Sequence, residues 1–193
     1  MRGTPMNRLL ILAFIILVGA ATSPKAQERA PAPSPYAGFG QRPVKALSAQ
    51  QLADLRAGRG MSLALAAELN GYPGPVHVLE LARELELTPD QRTRTEALFT
   101  AMKEEAIPIG ERLIEEETAL DRRFAEHSIA PESLSADVAA IGATQAALRV
   151  AHLKYHLSML EILTPAQAQR YAQLRGYGGS DGSRPSHGGH PQH

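Results

Sequence analysis

No cysteine and no tryptophan occur in the 193 residues. The first absence excludes disulfides, thiolate nucleophiles and thiolate metal sites, though it does not by itself fix a compartment. Aromatic residues make up only 5% of the chain, so a core must be built from alanine and leucine, which favours helix over sheet. A surplus of one charge sign is also missing. Twenty basic side chains face twenty acidic ones, without the basic excess that marks a nucleic-acid binder. Nor is there a glycine-rich phosphate loop, a serine nucleophile motif or a His-Glu metalloprotease signature, and no catalysis is expected. What remains is 44% hydrophobic, enough for one modest domain with a real core.

Long apolar runs are scarce too. Residues 9–18 (LLILAFIILV) follow Arg2 and Arg8 and precede Gly19, Ala20 and Ala21. The run is short for a bilayer span, and its flanks suit an export signal over 1–21, with an uncleaved N-terminal anchor as the alternative. No cysteine follows it, which excludes lipid attachment there. Export without cysteine suits a bacterial periplasm. Residues 22–46, rich in Pro, Ala and Ser, read as a disordered tether. Residues 178–193, rich in Gly, Ser and His, read as a tail that cannot bury a core. A helical domain is expected over 47–177.

Within that domain one pentapeptide recurs, as LTPDQ at 87–91 and LTPAQ at 163–167, with a looser copy, LSAQQ, at 47–51. Thr88 and Thr164 sit where N-caps would, and Pro89 and Pro165 occupy the first helical position, where a missing N–H costs nothing. Gln91 and Gln167 follow the caps by three residues, so their amides can reach back to the cap's own N–H. Ser48 and Gln51 repeat this logic without the proline. Each copy therefore predicts a helix start. Leu47 is placed to staple against Leu52, whereas Arg92 is a poor partner for Leu87.

Between the two strict copies lie two long helices. Apolar residues recur three or four apart from Met102 through Ala106, Ile109, Leu113 and Leu120 to Phe124, with a kink expected at Pro108. The segment 128–133 (SIAPES) reads as a turn, and Pro131 restarts the helix. The returning helix carries a heptad stripe: Leu134, Val138, Ile141, Gln145, Leu148, His152, Tyr155, Met159 and Ile162. At 1.5 Å per residue the two arms are about 58 Å and about 48 Å long, so both pentapeptides should lie at one pole of an antiparallel hairpin. Upstream, two short helices closed by Gly58 and Gly71 are expected, and a third that starts at Pro75. The apolar arc of the returning helix is wide for one hairpin contact, which points to a homodimer.

Two copies of L-T-x-x-Q behind an export signal, in an all-helical chain, resemble the Spy/CpxP family of periplasmic proteins. Leu87, Thr88, Gln91, Leu163, Thr164 and Gln167 carry the motif. Residues 58–82 (GRGMSLALAAELNGYPGPVHVLELA) also resemble a subgroup of periplasmic heavy-metal sensors. The resemblance spans roughly 45–177. It implies an all-α, cradle-like four-helix fold, usually dimeric, with the long antiparallel hairpin and short N-terminal helices as its parts. It further implies an ATP-independent chaperone for unfolded envelope proteins, an inhibitor of a sensor kinase's periplasmic domain, or a metal-responsive sensor. No cofactor is required under the first two. Unlike the chaperones, this chain has no strong basic run along its long helices.

His152 and His156, four apart on one helix face, have the spacing that chelates a divalent ion. Met159 on the same side would favour softer metals such as copper, while imidazole also suits nickel, cobalt or zinc. His77, with Glu80 one turn on and Glu68 upstream, supplies candidate further ligands. The alternatives are two core histidines hydrogen-bonded to carboxylates, or a pH-sensing pair. His187, His190 and His193 in the tail are candidates for weak metal scavenging only. Met61 reads as a packing residue, and Glu104, Glu105, Glu111, Glu115, Glu116 and Glu117 as a solvated face.

Overall fold

The computed structural model describes residues 34–177. The expected export signal, residues 22–33 of the tether and the tail with His187, His190 and His193 lie outside the described residues. After a 3-10 turn at Phe39–Gln41 come α1 (Ala49–Arg56), α2 (Leu65–Glu68), α3 (Pro75–Glu80), α4 (Pro89–Ala125), α5 (Pro131–Met159) and α6 (Pro165–Leu174). Strands are absent among the described residues, and no helix there is long and apolar enough to cross a membrane. This is the expected all-α architecture, with two long helices packed together.

Side-chain pairs between α4 and α5 fix the antiparallel register. Arg123 donates to Asp137 (2.9 Å) near the tip, Thr144 to Glu116 (3.0 Å) midway, and Tyr155 to Glu105 (3.0 Å) towards the base. The α4 helix runs on through Pro108. It ends where His127 takes a left-handed φ of 53°, so that the Ser128 N–H can close back on the Arg123 carbonyl at 2.9 Å.

Two apolar clusters hold the fold. One packs Val44, Leu47, Leu52 and Leu55 against Leu113, Ile114, Ile141 and Leu148. Val44 is buried, so the fold begins a few residues inside the stretch expected to be tether. Leu47 and Leu52, the expected staple pair, are both buried in this cluster. The other cluster joins Val78 and Leu85 to Met159, Ile162, Leu163 and Tyr171, with Leu87 at its edge. Burying each such leucine or isoleucine contributes about 1.5–3 kcal/mol.

The α5 stripe differs from the heptad expectation. Leu134 and Val138 are 36% and 52% exposed, Gln145 is exposed, and Thr144 is buried in its stead. Phe124 on α4 is likewise 51% exposed. A straight helix drifts from a seven-residue repeat, so the buried line passes through Ile141, Thr144, Leu148, Ala151 and His152. Towards the tip, nothing in α1 reaches far enough to cover the rest.

Two helical glycines differ in what they are for. A Cβ on Gly110 would lie 2.7 Å from the Leu55 carbonyl oxygen, so only glycine lets α1 approach α4. Gly142 on α5 has open space where a Cβ would stand. Glycine inside a helix costs about 1 kcal/mol relative to alanine, and packing gives no reason for that cost at Gly142.

Candidate functional site

The base of the hairpin is built by the repeated pentapeptides. Thr88 accepts the Gln91 N–H at 3.1 Å, while the Gln91 side-chain oxygen accepts the Thr88 N–H at 3.1 Å. Thr164 and Gln167 form the same box, at 3.2 and 2.9 Å, and Ser48 and Gln51 form a third. Leu163 is buried, and each proline opens its helix.

The two glutamines also bind each other. Gln91 Nε2 donates to Gln167 Oε1 at 2.8 Å, and Gln167 Nε2 returns a bond to Gln91 Oε1 at 3.0 Å. The second proton of each amide reaches a backbone carbonyl, Ile162 at 2.9 Å and Leu85 at 3.1 Å respectively. Four elements are tied here: both helix starts, the turn after α5 and the turn after α3. The sequence showed the caps and their common pole but gave no sign of this reciprocal pair.

Above that base lies a buried polar hub on Glu68. Tyr171 donates to its Oε2 at 2.6 Å, and His77 Nδ1 lies 2.8 Å from its Oε1. His156 Nδ1 stands 4.0 Å from the same Oε1 and hydrogen-bonds the Tyr72 carbonyl at 2.8 Å. A carbonyl only accepts, so this nitrogen carries the proton. Gly74 completes the hub, since a Cβ there would fall 2.7 Å from Glu68 Oε1 and 2.8 Å from His156 Cε1. Burial works against the Glu68 charge. Hydrogen bonds from His77 and Tyr171, helped by the charges of His77 and His156, outweigh burial and hold its pKa below the ordinary 4.5. Burial first, and the bond to Glu68 second, push the Tyr171 hydroxyl well above its ordinary range.

His152, one turn before His156, is 2% exposed, and its Nε2 has no hydrogen-bond partner. Burial lowers its pKa from 6.5, the neighbouring His156 adds to this, and Glu105 opposes it. Glu68, His77, Glu80, His152 and His156 all line one cleft of about 560 Å³, together with Phe99, Lys103 and Arg175. Met159 does not line it. That side chain is fully buried in the apolar cluster with Val78 and Ile162. No three His, Asp or Glu side chains among the described residues are grouped to hold a metal ion. His77 and His156 are thus brought together around a carboxylate whose two oxygens are already hydrogen-bonded, while His152 lines the same cleft without touching it. Tyr171, a full member of the hub, was not legible beforehand, because 103 residues separate it from Glu68.

An all-α hairpin whose two long arms are clamped at one pole by twin Leu-Thr-Pro-x-Gln caps defines a class by its fold and its motif together. The pattern described as LTXXQ motif family protein matches residues 76–175, just over half the chain, and the chain belongs to that family. No curated protein and no solved structure matches the chain significantly. Helices α1 and α2, and with them Glu68, precede the matched span.

Proposed function

We propose that this chain is a periplasmic ATP-independent chaperone or envelope-stress adaptor of the Spy/CpxP type. Working as a homodimer, it would bind partly unfolded envelope proteins or a sensor domain without covalent chemistry. The observation that carries this reading is the family's clamped hairpin with apolar side chains left outside its core. Phe124, Val138, Val150 and Leu157 are each more than half exposed along the two long helices. Covering these side chains with the apolar segments of an unfolded client would supply the driving force for association. Diluting a chemically unfolded model protein into buffer with the chain in stoichiometric excess, without ATP, is expected to give suppressed light scattering. Undiminished scattering would count decisively against this function.

A second reading, metal response, draws support from the cleft that gathers Glu68, His77, His152 and His156. Calorimetric titration with nickel, copper, cobalt and zinc tests it on a chain ending at residue 177, which removes His187, His190 and His193. Binding that disappears in both His152→Ala and His156→Ala supports a core site; binding unchanged by either abandons it.

A further inference from the structure

A second depression, of about 730 Å³, is lined by α1, the loop after it, α4 and α5. Leu47 and Leu55 of α1, Leu63 of the following loop, Leu113 of α4 and Leu148 of α5 give it aliphatic walls. Its floor on α5 is small: Gly142 and Ala146, four residues apart on one helix face. Gly142 is the helical glycine that packing does not require, and the volume its missing side chain leaves is part of this groove. Val138, one turn before Gly142, and Leu134, one turn earlier again, lie on the same face of α5 outside the groove's lining and are exposed.

The polar rim narrows the choice of occupant. Asp54 is already held by Arg59 at 2.7 Å and by Gln50 at 2.8 Å. Arg149 lines the same groove and makes no ion pair or hydrogen bond among the described residues. The side-chain amide of Gln145 is similarly unengaged and offers both a donor and an acceptor. An aliphatic wall, a floor cut down to backbone, a free amide and a free guanidinium together describe the complement of a peptide. They match a backbone that approaches closely, aliphatic side chains and a carboxylate.

We propose that this groove binds an aliphatic peptide segment carrying an acidic residue, whose carboxylate pairs with Arg149 while its backbone lies over Gly142 and Ala146. The proposal rests on the chaperone or adaptor reading and names the kind of partner that reading requires.

The test uses the full chain and two fluorescein-labelled peptides, one of leucine, alanine and glutamate, the other with lysine in place of glutamate. Fluorescence anisotropy is expected to show tighter binding of the glutamate peptide. A Cβ at Gly142 meets nothing within 4 Å, so Gly142→Leu places its side chain over the floor of the groove. It should weaken both peptides by roughly tenfold or more while the thermal midpoint stays the same or rises. Arg149→Glu should reverse the preference between the two peptides. The proposal is overturned if neither peptide binds, if Gly142→Leu binds as the parent does, or if Arg149→Glu leaves the preference unchanged. It is equally overturned if Gly142→Leu instead abolishes dimerisation, because a second copy then fills the groove. Aggregation assays separate this from the chaperone reading. A Gly142→Leu chain that still suppresses aggregation, with peptide binding unaltered, removes the groove and keeps the chaperone. A parent chain that binds peptide through the groove but suppresses no aggregation does the reverse.

Discussion

Glu68→Ala should destabilise the domain by about 3–5 kcal/mol, the usual cost of removing one partner from a buried ionic hydrogen-bond group. That is a large share of the roughly 5–15 kcal/mol that holds a domain folded. The carboxylate is the shared acceptor of Tyr171 at 2.6 Å and His77 at 2.8 Å. Without it the Tyr171 hydroxyl loses its acceptor in a site only 1% exposed. Tyr171→Phe removes one donor and leaves Glu68 its histidine, so about 1–2 kcal/mol is expected. Urea unfolding at neutral pH measures both. A Glu68→Ala loss no larger than that of Tyr171→Phe would mean that the carboxylate is not the hub.

Acid should weaken the same region in two separate windows. The unfolded chain takes up a proton at Glu68 near pH 4.5, which the folded chain resists, so stability falls as the pH drops below that value. His152 acts in the same direction at higher pH. Unfolded it binds a proton near pH 6.5, and folded it resists because it is buried beside His156, with Glu105 opposing. Each window involves one proton, so its slope cannot exceed about 1.4 kcal/mol per pH unit. Glu68→Ala should flatten only the lower limb of the curve, and His152→Leu only the upper.

The contrast between what could be read in advance and what could not follows sequence distance. Thr88 and Gln91, or Thr164 and Gln167, are three residues apart, and a capping box is a local fact that short spacing reveals. The hairpin follows from the lengths of two periodic segments, which is nearly as local. His152 and His156 could be placed on one face, because four residues is about one turn. The Glu68–Tyr171 bond spans 103 residues and joins a four-residue helix to the last one. Nothing in the periodicity of either segment points to the other. The outer ends of the apolar stripes misled for a related reason. Phe124, Leu134 and Val138 have the right spacing, but burial also needs a neighbour, and the chain places none beyond the reach of α1. Gly142 was silent because a glycine in a helix announces neither a packing need nor a vacancy until its surroundings are known.

Gln91→Glu should cost about 2 kcal/mol or more at neutral pH, although a glutamate completes a capping box as well as a glutamine does. The reason lies across the pole of the hairpin. Gln91 Oε1 accepts from the Thr88 N–H and from Gln167 Nε2, while its Nε2 donates to Ile162 and to Gln167 Oε1. Gln167 is engaged in the mirror-image way, with Thr164, Leu85 and Gln91. A carboxylate keeps the cap and loses both donors, leaving the Ile162 carbonyl and the Gln167 side-chain oxygen, both acceptors, facing an anion with no proton between them. Acidification protonates a glutamate and restores one donor, so the penalty of Gln91→Glu should shrink as the pH is lowered. Gln91→Ala and Gln167→Ala each lose a cap and the cross-link, at about 2–3 kcal/mol apiece. In a double-mutant cycle the pair should fall short of additive by about 1 kcal/mol, because the first substitution already removes the amide pair. Additive losses would reduce the glutamine to a capping residue. A coupling of that size would explain why the motif keeps an amide at both helix starts: one residue type caps its own helix and fastens it to the other.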